Sequence, residues 1–305
     1  MTMTGQGNFK TDGAAASFWQ CAGRRLDLTR PLIMGILNAT PDSFSDGGEH
    51  FEFSRARDWG EKLLEDGADI LDIGGESTRL GSQRVPTAEE LRRVLALVEY
   101  FAGRGALVSV DTSSPEVMRE ALQAGAAILN DVRAFEAPGA LETAAGSEAG
   151  LVIMHGAREA GLMPQAAVDH DETPVVDRVE RYLLSRQQAL MDKGAARERI
   201  CWDPGFGFGK SVEENFALLA ASARLARSGQ PLMAAISRKS SLGAVTGIAE
   251  PAQRATASVA GAVIALERGA RIVRVHDVRQ TREARDVWMA VQRAARDRGE
   301  AIGAP

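Results

Sequence analysis

Two sets of polar residues in this sequence could do chemistry together. One set offers hydrogen-bond acceptors and amide donors that could read the edge of a flat, nitrogen-rich heterocycle; its members are Asp111, Asn130 and Asp203. The other offers the positive charge that a phosphorylated ligand needs; its members are Arg79, Lys239, Arg274 and His276. Asn38 adds a hard oxygen ligand that could help to hold Mg²⁺ beside phosphate oxygens. Because the chain is acidic, with a net charge of −5, a bound anion best explains such a cationic group.

Short apolar runs must position these residues, because each polar residue lies at or soon after the end of one. The runs recur at roughly 34 residues, about the length of a strand followed by a helix. They are apolar throughout, as in strands buried on both faces of a parallel sheet. The pattern predicts an α/β fold, a (β/α)8 TIM barrel, whose active site lies at the carboxyl ends of the strands; a doubly wound sheet is the alternative. The eight runs are PLIMGIL (31–37), ADILDI (68–73), ALVSV (106–110), AAILN (126–130), LVIMH (151–155), ICWD (200–203), PLMAAIS (231–237) and RIVRVH (271–276).

Helix-start signals lie between the runs. Thr87 with Glu90 and Ser211 with Glu214 each fit a capping box. Ser114 precedes a proline, as an N-cap residue often does. These signals support alternating strands and helices.

Two loops that follow strands are expected to overhang the carboxyl-end face. NATPDSFSDGG (38–48) ends in a glycine pair, and GGESTRLG (74–81) begins with one. We interpret both as lids that order over a substrate, with flexible connectors as the alternative. Phe44, an aromatic residue in a polar loop, favours lids.

Other chemical signatures are incomplete. DPGFGFGKS (203–211) resembles a phosphate-binding loop, but Pro204 stands where the Walker pattern needs its first glycine. We therefore interpret its glycines as a tight turn beside a flat ligand. The four histidines lack zinc-site spacing, and His155, which ends a strand, could be structural or functional.

Composition restricts the class of protein. The 305 residues are 45% hydrophobic and 25% charged, which excludes disorder, a collagen-like fibre and a coiled coil. The acidic balance argues against nucleic acid or an anionic membrane as a partner, and no membrane span is expected. Cys21 and Cys201 form no CxxC pair, and the N-terminus does not resemble a secretory signal, so a cytoplasmic location is expected.

One domain is expected. Residues 31–298 form the barrel, and residues 299–305 form a tail. Residues 1–30 form an N-terminal extension, mobile in its first half, whose segment 18–30 is a candidate strand pair closing the barrel bottom.

An ordered set of motifs closely resembles the dihydropteroate synthase family of folate biosynthesis. The motifs are ILNATPDSFSDGG, GADILDIGGESTR, SVDT, NDV, DPGFGFGK, SRKS and RVHDV, and the resemblance runs from about residue 31 to 295. The first motif and SRKS favour the synthase over other pterin-binding barrels. The resemblance implies that 4-aminobenzoate condenses with 6-hydroxymethyl-7,8-dihydropterin diphosphate to give 7,8-dihydropteroate and diphosphate, with Mg²⁺ as cofactor and a homodimer as the assembly.

The resemblance also implies a role for individual residues. The pterin site would comprise Asp111, Asn130, Met154, Asp203, Phe208 and Lys239. The diphosphate site would comprise Asn38, Thr78, Arg79, Arg274 and His276, with Asn38 on the metal. The aminobenzoate site would comprise Pro41, Phe44, Lys239 and Ser240. The implied catalytic residues are Lys239, Arg274, His276 and Asp111.

Three departures from the family pattern stand out. Leu80 replaces the usual proline, Ala235 replaces a usual glycine, and GLMPQ (161–165) replaces the usual P-x-x-M-Q stretch. Our hypothesis is that Leu80 changes lid rigidity and so sulfonamide sensitivity; unchanged inhibition and aminobenzoate affinity in Leu80→Pro would contradict it. Two alternative functions stay open at this point, a pterin-binding corrinoid methyltransferase and a catalytically silent pterin-binding paralogue. Both would be expected to lack the charged residues of a diphosphate site.

Overall fold

The computed structural model of the chain describes residues 16–39, 49–75, 85–156 and 173–298. Within them, every predicted apolar run contributes a strand. The strands are β1 (Phe18–Cys21), β2 (Arg24–Asp27), β3 (Leu32–Asn38), β4 (Ile70–Gly74), β5 (Val108–Asp111), β6 (Ile128–Asp131), β7 (Gly150–Met154), β8 (Ile200–Asp203), β9 (Met233–Ala234) and β10 (Ile272–Val275).

Strands β3 to β10 form one parallel sheet in the order β8-β7-β6-β5-β4-β3-β10-β9. A parallel bridge between Trp202 and Leu232 connects the two end strands, and the Trp202 amide donates to the Pro231 carbonyl at 2.8 Å. Because the sheet meets itself and helices separate successive strands, the predicted (β/α)8 TIM barrel is confirmed.

The helices occupy the segments where the sequence predicts them. They are α1 (Glu49–Glu65), α2 (Thr87–Ala102), α3 (Pro115–Gln123), α4 (Ala140–Ala145), α5 (Val175–Asp192), α6 (Val212–Ala220), α7 (Ser222–Ala226), α8 (Ser240–Thr246), α9 (Ala255–Glu267) and α10 (Val278–Asp297), with single 3-10 turns at Arg197–Arg199 and Pro251–Gln253. In the described part of the chain, no helix combines the length and apolar character needed to cross a membrane.

Two of the three predicted helix starts are confirmed. Ser114 Oγ accepts from the Val117 amide, and Ser211 forms a complete capping box with Glu214. The prediction of a capping box at Thr87 is wrong, because Thr87 is already the first residue of helix α2. Pro86 is the N-cap residue instead, and its carbonyl accepts from the amides of the first turn.

Side-chain alternation divides the barrel strands between two cores. Along each barrel strand, alternate side chains point to opposite sides. One set of side chains packs against the helices, and the other faces the barrel interior, where it packs as a separate cluster with the N-terminal hairpin. The strand members of this interior cluster are Leu32, Met34, Ile70, Ile128, Val152, Cys201, Met233 and Ile272. The residue two positions further along each strand also points into the barrel, nearer its carboxyl-end face.

The N-terminal hairpin packs against the opposite end of the barrel. Strands β1 and β2 pair antiparallel around Ala22 and Gly23, which both have positive φ, as a type I′ turn requires. Trp19 and Cys21 are fully buried within the interior cluster, and Trp19 Nε1 donates to the Arg199 carbonyl at 2.8 Å. A Cβ at Gly150 would lie 2.4 Å from Cys21 Sγ, so this packing needs glycine there.

Candidate active site

Five residues near the carboxyl ends of the strands point into the barrel, as the interior core residues do. Each lies two residues beyond a core residue of its own strand, so its side chain points into the barrel near the carboxyl end. The residues placed in this way are Asp72, Asn130, Met154, Asp203 and Arg274, and Asp111 has the same parity on β5.

Arg274 links this group through two ion pairs. Its Nε donates to Asp72 Oδ2 at 2.6 Å, and its Nη2 donates to Asp111 Oδ2 at 2.8 Å. Asn130 Nδ2 donates to the same Asp72 oxygen at 3.1 Å. Asp72 therefore supports Arg274 and Asn130 together, although they lie on strands far apart in sequence.

Burial and charge compete in this network. Burial raises the pKa of Asp111 to about 7, against the opposing effect of the Arg274 guanidinium. Burial alone would lower the pKa of Arg274, but the carboxylates of Asp72 and Asp111 raise it above its ordinary value. Arg274 thus stays a cation, whereas Asp111 can change charge near neutral pH.

The loop after β8 and the turn after β9 bring an aromatic ring and a second cation together at the site. Asp203 Oδ1 accepts from the Gly205 amide at 2.8 Å, and burial raises the pKa of Asp203. Lys239 Nζ lies 4.1 Å from the centroid of the Phe208 ring, over its face. Burial and, to a smaller extent, the Arg274 guanidinium lower the pKa of Lys239 to about 8. An apolar ring and an ammonium group therefore lie together beside the buried Asp203 carboxyl.

The turn that carries Lys239 is fixed by its neighbours. Arg238 has a φ of +59°, and its guanidinium pairs with Asp277 at 2.6 Å. Its amide donates to Ser258 Oγ at 2.8 Å, and its carbonyl accepts from Arg254 Nη1 at 2.9 Å. These contacts stabilise a backbone conformation that arginine rarely adopts and fix the direction of the next residue, Lys239.

His276 is oriented by Ser237. The His276 amide donates to Ser237 Oγ at 3.2 Å, and Ser237 Oγ lies 3.1 Å from His276 Nδ1. When the hydroxyl donates to Nδ1, the neutral ring carries its proton on Nε2. The imidazole then presents a donor on its other edge.

His155 has surroundings that fit a structural role. Its ring meets Tyr182 edge to face, with centroids 5.1 Å apart, and its amide donates to the Asp203 carbonyl at 3.2 Å. Burial lowers the pKa of His155 to about 3, so the ring stays neutral at physiological pH. Its carbonyl accepts from Lys210 Nζ at 2.9 Å.

The remaining predicted residues fall in different places. Asn38 is half-buried at the end of β3, Met154 is buried at the end of β7, and Ser240 is exposed at the start of α8. Ala235, one of the departures from the family pattern, is buried. Pro41, Phe44, Thr78, Arg79, Leu80 and the segment 161–165 lie outside the described residues.

Among the described residues, no group of three or more His, Cys, Asp or Glu side chains could hold a metal ion. Mg²⁺ usually keeps several waters and takes one or two protein oxygens together with phosphate oxygens. The half-buried Asn38 amide fits a metal held mainly by a phosphorylated substrate, and it does not fit a metal held by protein alone.

Two residues that support the site are not among the predicted site residues, Asp72 and Lys210. Asp72 lies near the end of the second apolar run, two residues beyond Ile70, and this spacing is the sequence signal that it points into the barrel. Lys210 ends the DPGFGFGK motif, and its three donor contacts could not be read from spacing.

Comparison with known proteins gives one consistent family. The family model described as "Pterin binding enzyme" matches residues 34–276. Dihydropteroate synthase from Escherichia coli K12 is 44% identical over 263 residues, which cover 86% of this chain and 92% of that protein.

Two solved structures match over nearly their full length. Dihydropteroate synthase from Xanthomonas albilineans, solved with 4-aminobenzoic acid, is 48% identical with a TM-score of 0.84, covering 91% of this chain and 98% of that one. The Burkholderia cenocepacia enzyme, solved with 7,8-dihydropteroate, is 46% identical with a TM-score of 0.84, covering 93% and 99%.

Proposed function

Because this chain belongs to the dihydropteroate synthase family, we propose that it condenses 6-hydroxymethyl-7,8-dihydropterin diphosphate with 4-aminobenzoate to give 7,8-dihydropteroate and diphosphate. The observation that carries the proposal is the Arg274 network, in which a partly buried cation joins two buried carboxylates at the carboxyl end of the barrel. A ligand with both a heterocycle and a diphosphate needs this combination of groups.

The proposed chemistry is a substitution at the exocyclic methylene of the pterin. The amine nitrogen of 4-aminobenzoate forms the new C–N bond, the C–O bond to diphosphate breaks with its electron pair, and the amine releases one proton. An aniline nitrogen is nucleophilic at neutral pH, so the amine needs no strong base. The difficult step is the departure of diphosphate, and cations near the leaving group stabilise its charge.

Each part of the site has a proposed role. Asn130 and Asp203 bind the polar edge of the pterin, while Met154 and Phe208 pack against its faces. The Asp111 carboxylate stabilises positive charge that develops on the ring and methylene. Arg274 and the Nε2 donor of His276 bind the diphosphate.

Lys239 is proposed to serve both substrates. It lies over the Phe208 ring, beside the pterin site, and directly precedes Ser240, the proposed contact for the aminobenzoate carboxylate. Pro41 and Phe44 complete the aminobenzoate site, and Thr78 and Arg79 complete the diphosphate site, in the part of this proposal that rests on the family resemblance alone.

Magnesium is the proposed cofactor. Asn38 would hold it through its side-chain oxygen, with diphosphate oxygens and water as the other ligands. When bound, the ion would neutralise charge on the leaving diphosphate. Its binding is tested by measuring diphosphate-substrate affinity with and without Mg²⁺ in wild-type protein and in Asn38→Ala.

A homodimer in the cytoplasm completes the proposal. Helices α9 and α10 pack together and expose apolar side chains, Ile264 on α9 with Val287 and Val291 on α10, as a subunit interface would. Light scattering after size exclusion should give twice the chain mass for the wild type and a smaller mass for Val287→Glu.

The deciding experiment measures diphosphate release with Mg²⁺, with and without 4-aminobenzoate. Release that depends on 4-aminobenzoate and yields 7,8-dihydropteroate would establish the synthase activity. Pterin binding without release would instead favour a silent paralogue or a corrinoid methyltransferase, which the comparisons support less well than the synthase.

A further inference from the structure

Lys210, at the end of the loop that follows β8, is saturated with backbone contacts. Its Nζ donates to the carbonyls of Gly205 at 2.8 Å, His155 at 2.9 Å and Phe208 at 3.2 Å. An ammonium group has three donors, so these carbonyls use all of them. Lys210 therefore differs from the lysine of a phosphate-binding loop, which keeps its donors for a ligand.

These contacts join two separate loops. His155 follows β7, whereas Gly205 and Phe208 belong to the loop after β8. The loops approach so closely that a Cβ at Gly205 would lie 1.9 Å from the His155 carbonyl oxygen, and Gly205 has a φ of +74°. Because the carbonyl oxygens converge here, a positive donor between them offsets their mutual repulsion.

The same loop is fixed at its centre by helix α6. Asn215 Oδ1 accepts from the Gly207 amide at 2.7 Å, and Asn215 Nδ2 donates to the Lys210 carbonyl at 3.2 Å. The Gly207 backbone also packs tightly against Lys239, since a Cβ there would lie 2.8 Å from Lys239 Cδ. A movement of this loop would therefore change where Phe208 and Lys239 meet.

We propose that Lys210 is a positioning residue, which holds the loop after β8 so that the Phe208 ring lines the pterin site and faces Lys239. The nature of the ligand rests on the proposed function, whereas the loop geometry does not. Lys210 acts through Phe208 and Lys239, without touching the substrate itself.

The surroundings of Lys210 show that its charge is held at a cost. Burial lowers the pKa of Lys210 to about 7, against the opposing carboxylates of Asp203 and Glu214. The nearby cations Lys239 and Arg178 contribute to this lowering of the pKa. A lysine placed only to fill space would not need an ammonium group among carbonyls.

The test replaces Lys210 by methionine, an unbranched side chain one atom shorter than lysine that has no donors. We expect the Kd for 6-hydroxymethyl-7,8-dihydropterin diphosphate, measured by calorimetry without 4-aminobenzoate, to rise at least tenfold. The KM for 4-aminobenzoate should change less than threefold, because the Lys239 turn has its own contacts through Arg238. Amide hydrogen exchange over residues 204–210, measured without ligand, should accelerate at least tenfold.

The matched control is Lys193→Met, because Lys193 is exposed and pairs with Glu142 at 3.0 Å on the surface. It should leave the Kd and the exchange rates unchanged. Asn215→Ala provides a second variant if Lys210→Met does not fold, and it should produce the same changes by releasing the Gly207 amide.

The outcomes separate this inference from the proposed function. A folded variant with unchanged exchange over residues 204–210 and an unchanged Kd would overturn the role of Lys210, even if its Tm falls. If the wild-type protein does not bind the pterin, the proposed function fails, and the exchange measurement still decides whether Lys210 positions the loop.

Discussion

Asp72 is the residue whose substitution tests the site most directly. Its side chain is fully buried, and one of its oxygens accepts from Arg274 Nε at 2.6 Å and from Asn130 Nδ2 at 3.1 Å. Asp72→Asn keeps the shape of the side chain and removes its charge. Arg274 then has Asp111 as its one remaining carboxylate partner in the described part of the chain.

The expected loss of stability follows from this arrangement. Removing one partner of a buried ion pair typically costs about 3–5 kcal/mol. The Arg274 side chain is 15% exposed and keeps Asp111 at 2.8 Å, so we expect a smaller loss, about 2 kcal/mol in the free energy of unfolding. For 305 residues the unfolding entropy is about 0.64 kcal/mol/K, so thermal unfolding should show a fall in Tm of about 3 °C.

The expected loss of activity is larger than the loss of stability suggests. A displacement of about 1 Å in a positioning contact can cost about 100-fold in rate. Asp72→Asn should therefore lower kcat/KM for the pterin substrate by about 100-fold, which corresponds to about 2.7 kcal/mol. The KM for 4-aminobenzoate should change about twofold at most, since Asp72 supports Arg274 and Asn130, which belong to the proposed pterin and diphosphate sites.

A change in pH dependence gives an independent measurement. Burial is the main cause of the raised pKa of Asp111, about 7, and the negative charge of Asp72 is a smaller cause in the same direction. If ionised Asp111 is the active form, wild-type kcat/KM rises with pH through about 7. Without the Asp72 charge, the pKa of Asp111 falls, so this limb of the profile should move to lower pH.

The control for Asp72→Asn is Asp58→Asn. Asp58 is 63% exposed and pairs with Arg57 on the surface, where an ion pair contributes about 0–1 kcal/mol. Our reasoning would be refuted if Asp72→Asn behaved like Asp58→Asn in Tm and kcat/KM, or if its pH limb stayed in place.

Three further predictions concern other parts of the site and the barrel. Lys239→Ala should lower kcat at least 100-fold. Its Tm at pH 7 should not fall, because the pKa of Lys239 is lowered to about 8, so below pH 8 the charged side chain destabilises the folded state in full. Asp111→Asn should slow single-turnover chemistry at least tenfold while the KM for 4-aminobenzoate changes about twofold or less. Gly150→Ala should lower the free energy of unfolding by about 1–3 kcal/mol, because its Cβ would meet Cys21 and Trp19, with kcat and KM unchanged in steady-state assays.

Each of these predictions has an outcome that contradicts it. Normal turnover in Lys239→Ala would remove Lys239 from the site. If Asp111→Asn weakened aminobenzoate binding more than it slowed the chemical step, the proposed placement of Asp111 in the pterin site would be wrong. Altered KM values in Gly150→Ala would show that the hairpin end of the barrel is coupled to the active site.

The barrel could be predicted because its signals are local and repeated. Each strand is a short apolar run, and the residue two positions beyond an interior core residue shares its direction, as Ile128 and Asn130 show. The predicted start of α2 is wrong because Thr87 and Glu90 satisfy the capping-box pattern, whereas the helix begins one residue earlier, with Pro86 as its N-cap residue. Sequence spacing does not decide between two such adjacent starts.

The contacts within the site could not be predicted for a different reason. Arg274 and Asp111 are 163 positions apart, and they meet because the barrel closes with a particular stagger between its strands. Lys210 lies in a motif whose glycines were readable, yet the direction of its side chain depends on the His155 carbonyl of another loop. Such contacts depend on packing across the barrel, which no local pattern records.

The direct pairing of Arg274 with Asp111 implies that the proposed diphosphate and pterin sites share one ion pair. A substitution at either residue changes the charge balance of the other, because the Nη2–Oδ2 distance is 2.8 Å and both groups lie in a poorly solvated interior. Residues in direct contact show interaction energies of about 0.5–3 kcal/mol in double-mutant cycles. The two proposed sites are therefore coupled through this ion pair, and independent contributions from pterin and diphosphate would be inconsistent with this geometry.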